Sequence, residues 1–247
     1  MFNLNEGLMK YLFEGKVADL KFYIAYVIGI LAIIIIPYLL GSINSAIIVS
    51  KVGYHDDIRN HGSGNAGLTN TLRTYGLGAA GLTLLGDILK TVLSILIAGI
   101  FFGFNYVSGI SVGYACYIAA LFCIIGHIKP IYYGFRGGKG VLCCATAVLV
   151  LAPIVFLVLF ASFALIVYVS RYISLGSIVV AGLLPIALQG YMQTIANDSY
   201  DPIVVLFGFI VAVIVIYCHR SNLGRLWRHE ENKFSFHRNT DKKDGEK

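Results

Sequence analysis

Five apolar stretches dominate the chain: residues 22–50, 77–126, 141–170, 173–194 and 203–217. They are continuous and lack the period-two alternation of a membrane strand, which excludes a porin-type barrel. The stretches predict helices long enough to cross a bilayer, with 77–126 holding two crossings on either side of the connection 105–108. The thirty residues 141–170 carry Pro153 near their middle, and a turn at that proline would split them into two crossings. Ahead of the first stretch, Leu4, Leu8 and Leu12 with Met9, Phe13 and Val17 recur at helical spacing. Residues 1–21 therefore read as an interfacial amphipathic segment. They are not a cleaved signal peptide, because acidic residues mix with the lysines and no small-residue cleavage site follows the apolar run.

Composition agrees with a membrane protein. Of 247 residues 57% are hydrophobic and 13% charged, about half the charged share of a soluble domain, and the mean hydropathy is +0.78. Charge placement then sets the topology. Eight of the 19 Lys and Arg residues follow the last apolar run, so this tail is expected in the cytoplasm. The segments 51–76 and 127–140 are also basic, whereas 105–108 and 196–201 carry no Lys or Arg and read as external. One crossing over 141–170 would put the tail opposite the basic segment 51–76; two crossings put every basic segment on one face. The expectation is an all-α polytopic protein of seven transmembrane helices, N-terminus outside and C-terminus cytoplasmic. Its parts are an interfacial segment 1–21, a membrane domain 22–219 and a basic tail 220–247. The helix after Gly140 would be only about a dozen residues, roughly 18 Å, so the loop before it should dip into the membrane.

Five cysteines lie in or at the edges of apolar runs and read as small core fillers. The six histidines are scattered, with no HExxH and no Cys/His cluster, so neither a protein-built metal site nor a cofactor is expected.

Candidate chemistry lies in three polar segments of the basic face. The first, 56–73, contains Gly62, Gly64 and Gly67 in a GxGxxG spacing, but no βαβ unit surrounds it, and the dinucleotide reading fails on context. Glycines there let backbone N–H groups converge on an oxyanion, with Ser63, Asn65, Thr69 and Asn70 as added donors and Arg73 as a guanidinium fork. The second, 126–140, ends in Gly-Gly-Lys-Gly; Tyr133 and Gly140 break the Walker A pattern, yet glycines and Lys139 opening a helix still make an anion site. The third, 218–228, is basic beside a last membrane helix. A flexible loop, a snorkelling lysine and a topology signal are the ordinary readings of these segments taken singly. Asp87 and Lys90 add an i,i+3 charge pair inside a crossing, suited to structural pairing or site support alike. Together the segments suggest two phosphate groups meeting a lipidic substrate.

Several motifs in order carry a resemblance. These are Gly41-Ser42-Ile43; Gly62-Ser-Gly-Asn with Gly67-Leu-Thr-Asn and Arg73; Gly86-Asp87-Ile-Leu-Lys90; Gly126-His with Pro130 and Phe135-Arg-Gly-Gly-Lys-Gly; Arg171 to Ser177-Ile; and His219-Arg-x-Asn with Arg225-Leu and Glu231. From about Pro37 to Lys233 the chain closely resembles the membrane glycerol-3-phosphate acyltransferases that use acyl phosphate, the PlsY family. The departures are Leu68 for Ala, Asn44 for Pro, Arg136 for Lys, Leu142-Cys143 for Ala-Thr and His229 for Gly.

The resemblance implies a seven-helix bacterial inner-membrane enzyme with its site toward the cytoplasm. Its reaction would move a fatty acyl group from acyl phosphate to glycerol 3-phosphate, giving 1-acyl-glycerol 3-phosphate and phosphate, without metal or cofactor. Its partners would be those substrates and membrane lipid, not nucleic acid. It also implies His219, Ser63 and Asn222 as catalytic, and Asn65, Asn70, Arg73, Gly138, Lys139, Ser177, Arg220 and Arg225 as substrate- or phosphate-binding. Either His219 or the donor's own phosphate could accept the proton. Two other classes fit less well. A transporter for an organic phosphate would show an internal repeat, and an acyl-CoA-type transferase needs Asp five residues after a His, where this chain has Asn60, Ala66, Tyr132, Gly224, Phe234 and Lys242.

Overall fold

The structure, a computed structural model, describes residues 7–13, 20–103, 113–194 and 202–234. The connections 105–108 and 196–201 expected outside, residues 235–247 of the basic tail, and residues 1–6 and 14–19 of the expected interfacial segment lie beyond the described residues. Among those described there is no strand. The helices are α1 (Gly7–Phe13), α2 (Leu20–Ser42), α3 (Ser45–Tyr54), α4 (Leu68–Tyr75), α5 (Leu77–Phe102), α6 (Tyr114–Ile128), α7 (Val141–Leu151), α8 (Pro153–Ser170), α9 (Ile173–Thr194), α10 (Pro202–Cys218) and α11 (Arg220–Trp227).

Five helical stretches are long and apolar enough to cross a membrane, and α10 with α11, bent by 57°, makes a sixth if taken as one span. The chain does break before Pro153: Ala152 leaves helical geometry and the proline opens α8, where its missing N–H costs nothing. The result is a short α7 of 11 residues, roughly 16 Å long against a hydrocarbon core of ~30 Å. The first of the two crossings expected over 141–170 thus falls on a half-length helix. On α8, Leu157, Val158, Leu165 and Val169 are exposed, the outward apolar surface of a helix that meets lipid.

Small residues let the bundle close. A Cβ on Gly41 would overlap the Cys123 carbonyl, and one on Gly126 would overlap that of Tyr38; α2 and α6 therefore touch backbone to backbone, as close-packed membrane helices do. Asn44, at the break between α2 and α3, accepts from Ile47 N at 3.1 Å as the N-cap of α3 and donates to Ala66 O at 3.3 Å. The break is thereby fastened to the first glycine-rich loop. α1 packs at the C-terminal end of α5, where a Cβ on Gly7 would overlap Gly103. The polar loops collect at the opposite end, around the start of α5.

Candidate active site

The first loop is organised around Asn70, the buried third residue of α4. Its Nδ2 faces the carbonyls of His61, Asn65 and Ile58 at 2.9, 3.1 and 3.2 Å, and its Oδ1 accepts from Ser63 N at 3.0 Å. That amide is spent on shaping the loop, so Asn70 holds Ser63 and Asn65 in place rather than offering donors to a ligand. Arg59 ties this loop to the second: its Nη1 donates to Tyr133 O at 3.0 Å and Arg136 O at 3.2 Å. Its Nη2 pairs with Asp57 at 2.7 Å, which holds that carboxyl down to about 2.

The second loop departs from the expected anion nest. Gly137 N donates to Ile128 O at 3.2 Å and Gly138 N to His127 O at 3.1 Å, so neither N–H faces a ligand. Gly138 is glycine for packing: a Cβ there would overlap His127 Nε2 and come within 2.7 Å of Ala66 O. What remains for an anion is the start of α7, which Gly140 caps without any side-chain bond, and Lys139 beside it.

Lys139 Nζ donates to Asn222 Oδ1. Asn222 Nδ2 donates to Glu231 Oε1 at 2.7 Å, Ser174 Oγ to the same oxygen at 3.0 Å, and Arg225 Nε to Glu231 Oε2 at 2.7 Å. Burial raises the Glu231 carboxyl, but these three bonds outweigh it and hold the group below its ordinary value. For Lys139, burial is the main influence; with Arg225 it overcomes the pull of Glu231 and brings the ammonium down to about 8. His219 Nδ1 lies 2.8 Å from Val215 O, which makes Nδ1 the donor and leaves Nε2 as the acceptor nitrogen.

These side chains meet at the mouth of a cavity of about 440 Å³. Its polar end is lined by Ser63, Asn65, Thr69, Asn70, Arg73, Asp87, His127, Lys139, Ser174, Ser177, His219, Asn222, Arg225 and Glu231, and its body by apolar residues of α7 to α10 such as Val148, Phe156, Phe163, Leu184 and Val211. Ser177 is buried and donates to Ile173 O at 2.9 Å, leaving its oxygen as an acceptor. Arg73 is exposed and has no ion pair among the described residues. Two expected binding residues lie elsewhere. Gly138 does not line the cavity, for the reason given, and Arg220, the first residue of α11, points away, its guanidinium 4.6 Å over the Tyr217 ring and its Nη1 on Tyr217 O.

The Asp87–Lys90 pair expected from the sequence belongs to a larger buried cluster that sequence reasoning did not assemble. Lys90 Nζ is 2.8 Å from Asp87 and 3.0 Å from His127 Nδ1, and Asp87, His127 and Cys143 place ligand-type atoms within 4.8 Å of one another. Histidine and cysteines scattered along the chain are thus neighbours in space, but the ammonium sits among them where an ion would. Glu231 and Ser174 stand within the quoted motifs but received no role there; a carboxylate among cations has no positive signal in charge counting.

Comparison with known proteins converges on one family. The description "Glycerol-3-phosphate acyltransferase" matches residues 31–229. Proteins of that name are similar over most of the chain. That of Streptococcus thermophilus is 39% identical over 220 residues, covering 88% of this chain and 99% of the relative, and that of Clostridioides difficile is 41% identical over 205, covering 81% and 93%. The fold is similar to the crystal structure of PlsY (YgiH), an integral membrane glycerol 3-phosphate acyltransferase, in its glycerol 3-phosphate form: TM-score 0.71, 32% identity, 83% of this chain and 96% of that one. Its lysophosphatidic acid form gives 0.69 at 30% identity. A helical membrane bundle with a half-polar, half-apolar cavity and this pattern of relatives leaves one assignment: the chain belongs to the glycerol-3-phosphate acyltransferase family of integral membrane proteins typified by PlsY.

Proposed function

We propose that the protein transfers a fatty acyl group from acyl phosphate to glycerol 3-phosphate, releasing 1-acyl-glycerol 3-phosphate and inorganic phosphate. One observation carries the reading: a single cavity with cations and hydrogen-bonding side chains at its mouth and an apolar body between α7, α8, α9 and α10. Phosphates suit the mouth, and an acyl chain suits the body. The relatives' name and the two bound forms of PlsY supply the acceptor and product classes. The donor is inferred from the motif resemblance and from the absence of His-x₄-Asp in the sequence.

In this reading the free hydroxyl of glycerol 3-phosphate attacks the acyl carbonyl, the C–O bond to phosphate breaks, and phosphate leaves with the bonding pair. Acyl phosphate is a mixed anhydride, already activated, so the protein's task is to hold two anions together, align the hydroxyl and stabilise the oxyanion. Lys139, Arg73, Arg225 and the open end of α7 offset phosphate repulsion. Ser63, Asn65, Ser177 and Asn222 orient oxygens, with Asn70 fixing the loop behind them. His219 Nε2 accepts from the attacking hydroxyl, and the departing phosphate takes the proton.

The topology proposed with this function has seven crossings in a bacterial inner membrane, α7 as the half-length fourth, and the cavity mouth toward the cytoplasm. Residues 1–21 form an interfacial segment and 220–247 a basic cytoplasmic part. The test is initial-rate acyl transfer by the protein in detergent, with acyl phosphate and acyl-CoA in parallel. Product from acyl phosphate alone supports the reading; equal rates from acyl-CoA overturn the donor assignment, and no acylation of glycerol 3-phosphate overturns the whole.

A further inference from the structure

Between the two loops lies a group of buried ionisable side chains that the mechanism above does not use. Lys90 Nζ has four acceptors within reach: Asp87 Oδ1 at 2.8 Å, Ile43 O and His127 Nδ1 at 3.0 Å, and Gly41 O at 3.1 Å. Lys90, Asp87 and His127 are 5%, 1% and 3% exposed. Two carbonyls, a carboxylate and an imidazole nitrogen around one point form an environment for a cation, and the ammonium supplies it from within the chain. An ammonium has no lone pair to offer, so Nδ1 is the acceptor wherever Lys90 bonds to it; the same Nδ1 lies 3.6 Å from Asp87 Oδ1, and the charge pair together holds the ring plane.

The other edge of that ring sets the loops. Gly138 packs so closely on Nε2 that no Cβ fits between them, and Ala66 O from the first loop borders the same space. The next residue after Gly138 is Lys139, which reaches Asn222. We infer that Lys90 is an internal cation anchoring His127 through Nδ1, and that Asp87, Lys90 and His127 are positioning residues that set the spacing of the two loops and so aim Lys139 at the phosphate site. The inference rests on the phosphate role of Lys139 proposed above.

Asparagine and glutamine separate the two edges of the histidine. His127→Asn places an amide oxygen near the Nδ1 position and keeps an acceptor for Lys90; His127→Gln reaches the Nε2 position instead; His127→Phe keeps the ring without any acceptor. Each variant, with Lys139→Ala as reference, is purified in detergent, checked for a monodisperse peak, and assayed for kcat and for KM toward glycerol 3-phosphate. The expected result is a KM raised tenfold or more in His127→Phe and within threefold of wild type in His127→Asn, with kcat less affected than KM. If His127→Phe does not fold, the paired change Asp87→Leu with Lys90→Met replaces the ion pair by apolar groups of similar size, a change that cores commonly accept, and should raise KM equally. Normal KM in folded His127→Phe or in the folded pair overturns the inference, as does failure of His127→Asn to restore it, whether or not His127→Gln does. A normal KM in Lys139→Ala instead overturns the phosphate reading on which it rests.

Discussion

Replacing Lys139 by alanine should remove both affinity for a phosphate substrate and a pH dependence that the lysine itself creates. A charge-assisted contact contributes about 1.5–3 kcal/mol, so kcat/KM should fall by roughly 10- to 150-fold. Asn222 Oδ1 also loses its donor in a residue only 5% exposed, at a stability cost of about 1–3 kcal/mol. The variant should therefore melt earlier without losing its fold. The pH argument is separable from both effects. In the free protein burial brings the Lys139 ammonium down to about 8, and only the charged form grips phosphate. KM for glycerol 3-phosphate should be flat below that value and climb above it, because one unit higher only about a tenth of the lysine remains charged. Glu231, held low, does not titrate in this window. Phosphate release measured as initial rates from pH 6.5 to 9.5 should show the climbing limb in wild type and a high, level KM in Lys139→Ala. A folded Lys139→Ala protein that keeps the wild-type limb would refute the argument.

Arg73→Lys should impair turnover severalfold or more, since a planar fork becomes a point charge; wild-type kinetics would remove Arg73 from the phosphate site. Gly138→Ala should lose most activity and stability together, because the new methyl meets the His127 ring and the Ala66 backbone, overpacking that costs roughly 1–3 kcal/mol or more; a thermal melt and one rate measurement decide it. For topology, single cysteines at positions 105 and 197 should react with an impermeant reagent outside intact cells while those at 61 and 229 stay protected, and labelling at 61 but not 197 would reject the seven-crossing arrangement.

The helical membrane character of the chain was legible because burial in lipid acts on every residue of a crossing, so apolar runs and their breaks are local signals. Pro153 is one example: a residue without an N–H suits the first turn of a helix, and α8 does start there, whereas Pro37 and Pro185 are carried inside α2 and α9. The motif loops were legible as places for chemistry for a similar reason, since glycine, asparagine and lysine runs have little other use beside a membrane. Individual roles were not. Gly138 reads as a donor to an anion in any local account, and only the crossing of two chain segments shows its N–H already taken by His127. Asn70 likewise becomes a loop fastener once the carbonyls of Ile58, His61 and Asn65 surround it. The cluster of Asp87, Lys90 and His127 joins residues 37 positions apart, a pairing that no periodicity encodes.

Glu231 poses the remaining electrostatic question, since a carboxylate beside the proposed phosphate site should repel its ligand. Its bonds resolve this: it restrains Arg225 and, through Asn222, Lys139, so three groups stand oriented before substrate arrives and reorganisation is avoided later. Its charge has a second, measurable effect. Glu231 pulls the Lys139 ammonium upward while burial and Arg225 push it down to about 8. Glu231→Gln keeps a similar shape and one acceptor oxygen but removes the pull, so Lys139 should lose its proton more easily. The rising limb of KM should then begin below pH 8, and at neutral pH the variant should bind glycerol 3-phosphate more weakly, although a negative charge has been taken out of an anion site. Simple repulsion predicts the opposite, tighter binding with an unmoved limb. KM profiles of wild type, Glu231→Gln and the double variant with Lys139→Ala distinguish the two, because the double variant should show no limb at all. A limb that stays in place or moves upward in Glu231→Gln would mean that Glu231 does not act through Lys139.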